Sequence, residues 1–314
     1  MNTVLMIVLA MGIDAAIGWP DALYRRIGHP VTWMARGITA LDRALNHAGL
    51  GARVRQMRGG LTVLILCAAT WGIAAVMQGI LPDGIVGTTI GAMLAWPLIA
   101  IRSMHDHVAA VARPLIAGDL PAARHAVSMI VGRDPNLLDA AGVTRAGLES
   151  LAENTSDGIV APVFWGAVLG LPGIATYKMI NTMDSMIGHR TEKYEDFGKV
   201  AARLDDVVNL IPARLTGVIF AICGGQFTCA WAVIRADAGK HRSPNAGWPE
   251  GALAGSLNIR LSGPRQYGTH TADEPWLNGA APDPVADDLA RGLALYRRGM
   301  VLLAAILGAV ALTL

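Results

Sequence analysis

Long stretches without a charged residue are the feature that most constrains this chain. Five such stretches occur, at residues 61–82, 84–101, 159–177, 215–234 and 299–314. A helix that crosses the hydrocarbon core of a bilayer needs about 20 mostly apolar residues. Residues 1–20 hold a single charged side chain, Asp14, and lack the basic start of a cleaved signal peptide. The sequence therefore predicts five or six membrane segments.

The composition excludes several other classes of protein. Hydrophobic residues make up 53% of the 314 residues and charged residues only 16%, whereas soluble domains carry about 25% charged residues. Disorder requires the opposite balance, and a net charge of +2 gives no basic field for nucleic acid. We therefore expect an all-α, polytopic integral membrane protein with one domain over residues 1–314. Its polar loops are predicted at residues 21–60, 102–158, 178–214 and 235–298.

The distribution of basic residues poses a topological conflict. Residues 21–60 hold seven arginines and two acidic residues, so the positive-inside rule assigns them to the cytoplasm. Basic residues also flank both ends of the 215–234 segment, and a simple crossing cannot leave both ends in the cytoplasm. Either residues 178–214 face outward, or one segment is broken or re-entrant. The Gly-Leu-Pro-Gly sequence at 170–173 favours a broken segment that lines a cavity.

Three acidic residues precede the 159–177 segment at helical spacing. Glu149, Glu153 and Asp157 stand at i, i+4 and i+8, so one helix face would carry all three, beside Asn154. A solvated face on which Arg145 pairs with Glu149 is the simpler interpretation. Because the stripe runs directly into an apolar segment, where ionisable groups are usually functional, we predict a Mg²⁺ site.

A second polar stripe occupies residues 177–190. Lys178, Asn181, Asp184 or Ser185, and His189 recur at helical spacing among apolar residues. An amphipathic interface helix would show the same pattern, and for His189 alone a hydrogen-bonded structural histidine is the favoured interpretation. The combination offers a phosphate contact, metal-binding oxygens and a proton acceptor on one face.

Residues 203–214 carry a third acidic pattern. Asp205, Asp206 and Asn209 form a DDxxN sequence between Arg203 and Arg214. Acidic boxes of this kind hold diphosphate through Mg²⁺ in some transferases. A helix cap with two ion pairs at a helix start explains the pattern equally well, so both interpretations stay open.

Residues 241–264 form a loop rich in Pro, Gly and Asn, followed by small residues suited to close helix packing. Arg242, Asn245 and Glu250 in this stretch are candidate substrate contacts. His29, which precedes a proline, would by itself be a turn histidine. No P-loop or dinucleotide-binding glycine motif occurs, so any nucleotide would be held by acidic residues, metal and arginines.

Six long motifs together resemble one family over nearly the whole chain. They are HPVTWMAR (29–36), VGRDPNLLD (131–139), RAGLESLAENTSDGIVAPVFW (145–165), YKMINTMDSMIGHR (177–190), FGKVAARLDDVVNLIPARLT (197–216) and HRSPNAGWPEGALAGSLNIRLSGP (241–264). The chain resembles the CobD/CbiB family of cobalamin-biosynthesis membrane proteins, the adenosylcobinamide-phosphate synthases. Pro135 departs from the family pattern, which usually has a small hydroxyl residue there.

The resemblance implies an ATP-dependent amide ligase. It would join aminopropanol, or its phosphate, to the free carboxylate of (adenosyl)cobyric acid and give (adenosyl)cobinamide (phosphate). Mg²⁺ and ATP are the implied cofactors, and the partners are the corrinoid and amino-alcohol substrates, the lipid bilayer and pathway enzymes, without nucleic acid. The implied location is the bacterial plasma membrane, as a multi-pass protein whose site faces the cytoplasm. Oligomeric state, phosphorylation of the amine and adenosylation of the corrinoid stay open.

Roles for single residues follow from the resemblance together with the patterns above. The predicted metal ligands are Glu149, Glu153, Asp157, Asp184, Asp205 and Asp206. Lys178, Arg190, Arg203 and Arg214 would contact phosphates, and Asn154, Asn181 and Asn245 would orient substrate. His189 would accept the ammonium proton, which gives a catalytic set of His189, Lys178 and Asp184. The other candidate substrate or nucleotide contacts are His29, Arg133, Asp134, Ser185, Arg242 and Glu250.

Two other functions remain as alternatives. An intramembrane Mg²⁺-dependent prenyl or phospho-transferase would use the acidic patterns to hold a lipid diphosphate. A non-enzymatic corrinoid transporter subunit would use a broken segment with polar groups at mid-membrane depth.

Overall fold

The computed structural model describes residues 1–131, 135–267 and 270–314. This part of the chain is almost entirely helical, with four short β-strands. The helices are α1 (Thr3–Ile17), α2 (Asp21–Ile27), α3 (Pro30–Leu45), α4 (Ala52–Gly79), α5 (Gly84–Ala95), α6 (Ile101–Ile116), α7 (Leu120–Ser128), α8 (Ala140–Thr155), α9 (Ala161–Ile187), α10 (Lys199–Val208), α11 (Leu210–Cys223), α12 (Phe227–Asp237), α13 (Gly247–Leu257) and α14 (Ala286–Ala311). The strands are β1 (Leu261–Ser262), β2 (Arg265–Tyr267), β3 (His270–Ala272) and β4 (Trp276–Leu277). β1 pairs antiparallel with β4, and β2 with β3.

Several helices are long and apolar enough to cross a membrane, as the sequence predicts. Among the described residues, four helical runs qualify: Ala52–Gly79, Gly84–Ile116, Ala140–Ile187 and Ala286–Ala311. Two bent pairs, Thr3–Ile17 with Asp21–Leu45 and Lys199–Val208 with Leu210–Cys223, raise the number of candidate spans to six. The prediction of an all-α polytopic membrane protein is therefore confirmed.

The 215–234 segment differs from the single helix that its lack of charge suggests. It is divided between α11 and α12, because the helix stops at Cys223 and resumes at Phe227. Gly225 has a φ of 75°, a left-handed conformation that glycine adopts without a Cβ penalty. Absence of charge marks apolar surroundings, but it does not show where the backbone turns.

The chain divides into two compact units, each assembled from separated parts of the sequence. The first unit comprises residues 1–100, 161–209 and 307–314, and the second comprises residues 101–160 and 210–306. The single-domain organisation inferred from the sequence stays a prediction.

In the first unit, helices α3, α4, α9 and α10 share an apolar core. The buried side chains of this core are Ile38, Val63, Leu66, Met179, Ile180, Met183, Ile187, Phe197 and Ala201. Gly59 of α4 lies against the backbone carbonyl of Phe197, where any Cβ would collide with that carbonyl. The absence of a side chain at residue 59 thus lets α4 approach the start of α10 closely.

Helix α9 is broken at Gly170, as the sequence predicts for one segment. Gly170 has φ 69° and ψ −151°, a region that is essentially restricted to glycine. The break removes the helical hydrogen bond from the Leu171 amide to the Ala167 carbonyl. Gln78 Oε1 accepts from the Leu171 amide at 2.7 Å, and Thr3 Oγ1 donates to the Ala167 carbonyl at 2.8 Å. Side chains from α4 and α1 therefore satisfy both backbone groups, as an apolar environment requires.

Contacts within the first unit also bear on the topological conflict. The segment after α9 lies against the connection between α3 and α4: Asn46 Nδ2 donates to the Lys193 carbonyl at 3.2 Å, and Arg55 donates to the Glu192 carbonyl at 3.2 Å. Lys193 Nζ lies 2.6 Å from Asp42 Oδ2, and this hydrogen bond raises the pKa of Lys193. Residues 192–193 thus lie beside the arginine-rich 21–60 stretch, which favours the broken-segment solution over an outward-facing 178–214 loop.

The second unit packs around α13, a helix of small residues that is buried along its whole length. Gly255 of α13 faces the backbone of Ala230 on α12, and a Cβ at residue 255 would lie 2.6 Å from the Ala230 Cα. The close packing predicted for the small residues of the 241–264 stretch is therefore present at Gly255. Strands β1 and β4 lie against this helix and bring Ser262 next to α8.

Candidate active site

Three carboxylates of the first unit form an acidic cluster, which we define as Asp184, Asp205 and Asp206. Asp184 lies near the end of α9, and the other two lie on α10. Asp205 is only 8% exposed and within electrostatic range of both other carboxylates. Negative groups gathered in a buried place repel one another unless a cation lies among them. The arrangement therefore suits a positively charged ligand.

A hydrogen-bonded chain fixes one oxygen of Asp205. Tyr177 donates its hydroxyl to Asn209 Oδ1 at 2.8 Å, and Asn209 Nδ2 donates to Asp205 Oδ2 at 2.9 Å. The other oxygen, Asp205 Oδ1, is buried and has no hydrogen-bond partner among the described residues, although Asn181 approaches the carboxylate. One oxygen is thus held in place while the second is left for a ligand.

Basic groups surround the acidic cluster. Arg203 Nη1 lies 3.7 Å from Asp206 Oδ2, and Arg190 is within electrostatic range of the same carboxylate. His189 is within range of Asp184. A metal ion held by the carboxylates would therefore have arginines nearby that can contact phosphate oxygens.

Two details of the sequence interpretation need correction here. Helix α9 ends at Ile187, and the Gly188 amide donates to the Asp184 carbonyl, so His189 lies beyond the helix and is exposed. Asp205 and Asp206 lie in the second half of α10, so the interpretation as a cap at a helix start is wrong.

Other candidates of the first unit have identifiable local partners. Ser185 is exposed and donates to the Asn181 carbonyl at 3.0 Å. His29 caps the N-terminus of α3, since its Nδ1 accepts from the Val31 amide at 3.2 Å. The His29 ring is also within electrostatic range of Lys178.

The predicted acidic stripe lies in the second unit and is less regular than expected. Glu149 is buried, and its Oε1 accepts from the Ser262 amide at 2.8 Å. Glu153 is exposed. Asp157 lies in a π-helical turn, Ser156–Val160, whose wider geometry changes the i, i+4 register. Arg145 pairs with Asp283 rather than with Glu149.

A second polar group of the second unit, which we call the loop cluster, comprises Arg214, His241, Asn245 and Glu250. Arg214 Nη1 donates to Asn245 Oδ1 at 3.3 Å, and its guanidinium stacks over Trp248. His241 Nε2 lies 3.9 Å from Glu250 Oε2, and both side chains are at least 95% buried. The cluster brings together three predicted residues.

Sequence reasoning missed Tyr177, which is linked to the acidic cluster through Asn209, and His241 of the loop cluster. Tyr177 reaches Asn209 across 32 positions, so no local spacing reveals the pair. His241 directly precedes the candidate Arg242 in a loop rich in Pro and Gly. A histidine at this position is a local signal of a site residue.

The remaining candidates lie apart from these clusters. Arg242 Nε is 3.6 Å from Glu274 Oε1, and Asn154 Nδ2 donates to the Ser150 carbonyl at 2.9 Å. Arg133 and Asp134 lie outside the described residues.

The donor types of the acidic cluster fit a hard divalent cation such as Mg²⁺. Carboxylate oxygens with a nearby amide are the ligands such ions prefer, and the buried Asp205 Oδ1 is left without a partner within the described ranges. In the same part of the chain, no three His, Cys, Asp or Glu side chains are already gathered as a metal site. Binding would therefore require the carboxylates to converge on the ion.

Comparison with known proteins identifies relatives along the whole chain. The model of the CobD/CbiB protein family matches residues 7–296. "Cobalamin biosynthesis protein CobD" of Rhodobacter capsulatus is 63% identical over 311 residues, which cover 99% of this chain and 98% of that protein. The protein of the same name from Sinorhizobium fredii is 47% identical, over 96% of this chain and 94% of that protein. The one from Brucella suis is 43% identical, over 97% of each chain. No solved structure matches the chain.

Proposed function

Because the chain belongs to the CobD/CbiB family of cobalamin-biosynthesis proteins, we propose that it is an ATP-dependent amide ligase. The proposed reaction joins the amine of aminopropanol, or of its phosphate ester, to the free carboxylate of (adenosyl)cobyric acid. The observation that carries this proposal is the acidic cluster, with the Asp205 oxygen that has no partner among the described residues and the neighbouring Arg190 and Arg203.

Amide formation from a carboxylate requires activation, because a carboxylate is a poor electrophile. In the proposed first step, a corrinoid carboxylate oxygen attacks the γ-phosphorus of ATP, and ADP leaves with the electrons of the broken P–O bond. The amine then attacks the acyl carbon, the C–N bond forms, and inorganic phosphate departs. One proton must leave the attacking nitrogen during this second step.

The residues of the first unit suit the phosphoryl-transfer step. Asp184, Asp205 and Asp206, with Asn181, would hold Mg²⁺, which would offset the charge on the phosphates. Arg190 and Arg203, both near Asp206, would contact phosphate oxygens, and Tyr177 and Asn209 would keep Asp205 oriented. His189, exposed and within electrostatic range of Asp184, would take the proton of the amine on a ring nitrogen.

The candidates of the second unit are not assigned to this step. Arg214 and Asn245, which are joined by the hydrogen bond from Arg214 Nη1 to Asn245 Oδ1, stay predicted substrate contacts. The metal roles of Glu149, Glu153 and Asp157 stay predictions.

An assay in lipid nanodiscs tests the proposal. The chain is supplied with Mg²⁺, ATP, cobyric acid and aminopropanol phosphate, and both ADP and the new amide are measured. We expect Asp184→Asn to lower turnover at least 100-fold, because the variant keeps the shape of the side chain but loses its negative charge. Asp83→Asn is the matched control: Asp83 is exposed and its side chain makes no cap hydrogen bond, so turnover should not change.

Each outcome of this assay has a clear meaning. Full activity of Asp184→Asn would remove the metal assignment. Turnover of a lipid diphosphate without ADP formation would favour the transferase alternative, and corrinoid flux into vesicles without any amide product would favour a transporter subunit.

A further inference from the structure

An apolar cavity of about 600 Å³ lies within the first unit. Helices α2, α3, α4 and α9 and residues 93–98 surround it. The lining consists of tryptophan, methionine and aliphatic side chains, with Thr70 as the one hydroxyl group among the described lining residues. A volume of this size is typical of small-molecule sites. The cavity is separate from the acidic cluster used above.

The cavity opens on surfaces that a bilayer would cover. Ile73 and Met93, two lining residues, are 64% and 54% exposed. Ile73 belongs to α4, a candidate span of which only 22% of the apolar window is buried within the protein. The mouth of the cavity is therefore apolar and lies on a membrane helix. A molecule that enters it would come from the hydrocarbon of the bilayer.

The break in α9 forms one wall of this cavity. Leu171, Ala175 and Met179 line it, one helical turn apart, starting at the residue after Gly170. Gln78 holds the amide of Leu171, so this wall is fixed by the same hydrogen bond that satisfies the break. A fixed wall favours a preformed site over a gap that side chains would close.

Three tryptophans contribute the indole N–H groups of the cavity lining. Of its three tryptophans, Trp33 donates its indole N–H to the Ile27 carbonyl and Trp96 donates to the Gly18 carbonyl. The Trp19 indole N–H is buried and has no acceptor among the described residues. The Trp19 ring contacts His29 edge-on at 5.0 Å, and His29 is within electrostatic range of Lys178. A hydrogen-bond donor and the positive charge of Lys178 thus lie near an otherwise apolar cavity.

We propose that this cavity binds one acyl chain of an anionic glycerophospholipid of the membrane. The chain fills the apolar interior, and phosphate or ester oxygens of the head group meet the Trp19 N–H and the positive charge of Lys178. Charge complementarity selects an anionic lipid over a zwitterionic one. A polar ligand such as a corrinoid is a poor occupant, because its amides would be buried here without hydrogen-bond partners.

Native mass spectrometry of the intact chain tests this proposal. The protein is reconstituted in nanodiscs of equal parts phosphatidylglycerol and phosphatidylcholine and then released, and lipids that stay bound are identified. We expect about one retained phosphatidylglycerol per wild-type chain. Ala69→Trp fills the cavity and should lower this occupancy at least tenfold. Ala68→Trp is the matched control, because Ala68 is exposed on the same helix and does not line the cavity.

The variant Trp19→Phe tests the Trp19 N–H separately. It keeps an aromatic ring but removes the N–H, so the preference for phosphatidylglycerol over phosphatidylcholine should fall several-fold while acyl binding persists. A phosphatidylglycerol with a diazirine on its acyl chain gives an independent readout in the wild type, and its crosslinks should map to residues 69–77 and 93–98.

Four results would overturn the proposal. They are equal lipid retention by Ala69→Trp and the wild type, retention without preference for the anionic lipid, absence of any retained lipid, and crosslinks confined to faces outside the cavity. Crosslinking uses the wild-type chain, so the proposal stays testable if Ala69→Trp does not fold. None of these readouts depends on ligase activity.

Discussion

Asp283 shows how single residues hold the second unit together. Its carboxylate accepts from Arg260 Nε at 2.9 Å and Nη2 at 2.5 Å, and it also pairs with Arg145. Both guanidinium groups stack on the Trp276 ring, with centroid distances of 4.3 and 4.8 Å. A bidentate arginine pair of this kind fixes geometry as well as charge. One acidic residue thus ties α8 to the segments on either side of the β-strands.

The Arg260 hydrogen bonds, with the nearby Arg145 charge, lower the pKa of Asp283. A carboxyl group whose folded pKa lies below the unfolded value of about 3.9 stabilises the fold above that value. The stabilisation is lost as pH falls through the lower, folded pKa. We expect Asp283→Asn to lower stability near pH 7 by up to about 1 kcal/mol, because the pair is partly exposed.

Thermal unfolding in detergent, measured between pH 2 and 7, checks this prediction. The difference between the wild type and Asp283→Asn should shrink steadily as the pH falls below about 4. The variant Asp273→Asn, at an exposed position, should show no such trend. A difference that stays constant over the whole range would argue against the ion pairs as its source.

Single residues could be predicted from the sequence only where their partners are near in the chain. The stripe of Lys178, Asn181 and Asp184 lies on one helix, so spacing was sufficient to group these residues. Arg145 was paired with the wrong acidic residue, because its real partner is 138 positions away. Tyr177 was missed for the same reason. Local spacing predicts neither the π-helical turn at Asp157 nor the Asp205 oxygen that has no hydrogen-bond partner among the described residues.

At the scale of elements, α9 is defined by its break as much as by its helical parts. The glycine and proline at 170–173 predicted an interruption, and the structure places it at Gly170. The same reasoning was not applied to the two glycines at 224–225, which also end a helix. No local pattern predicts that the side chains of Gln78 and Thr3 form hydrogen bonds with the backbone groups at the break.

Substitution of Gly170 by alanine tests the conformational requirement of this break. We expect Gly170→Ala to lower the free energy of unfolding by about 1–3 kcal/mol, because a Cβ is strained at this φ and ψ and would also collide with the Gln78 side chain. Gly72→Ala is the matched control, since a Cβ at residue 72, inside α4, has no neighbour within 4 Å. This control should be neutral or stabilising by up to about 1 kcal/mol. Equal stability of the two variants would contradict the argument.

At the scale of the whole molecule, the contact of residues 192–193 with Asn46 and Arg55 favours one of the two topologies that the sequence left open. Segments in contact must lie on the same side of a membrane. If the positive-inside rule holds for the 21–60 stretch, we expect both segments on the cytoplasmic side. Hydropathy alone predicted five or six membrane segments, but evidence on the side of the 178–214 stretch required a contact between distant parts of the chain.

Accessibility of single cysteines tests this assignment. In a chain whose native Cys67, Cys223 and Cys229 are replaced by alanine, we introduce Gly49→Cys, Glu195→Cys or Asp83→Cys. Residues 49 and 195 should react with a membrane-impermeant maleimide only from the cytoplasmic side. Residue 83, in the turn between the 28-residue helix α4 and helix α5, should react only from the opposite side. Labelling of residues 49 and 195 from opposite sides would falsify the assignment.

The discontinuous make-up of the first unit has a consequence for biogenesis. Residues 307–314 belong to it, and Asn2 donates a hydrogen bond to the Ala311 carbonyl at 3.0 Å. These residues are translated after all of the second unit, so the first unit cannot be completed while the ribosome is still making the second. The nascent helices of the first unit therefore lack this contact until residues 307–314 have emerged from the ribosome.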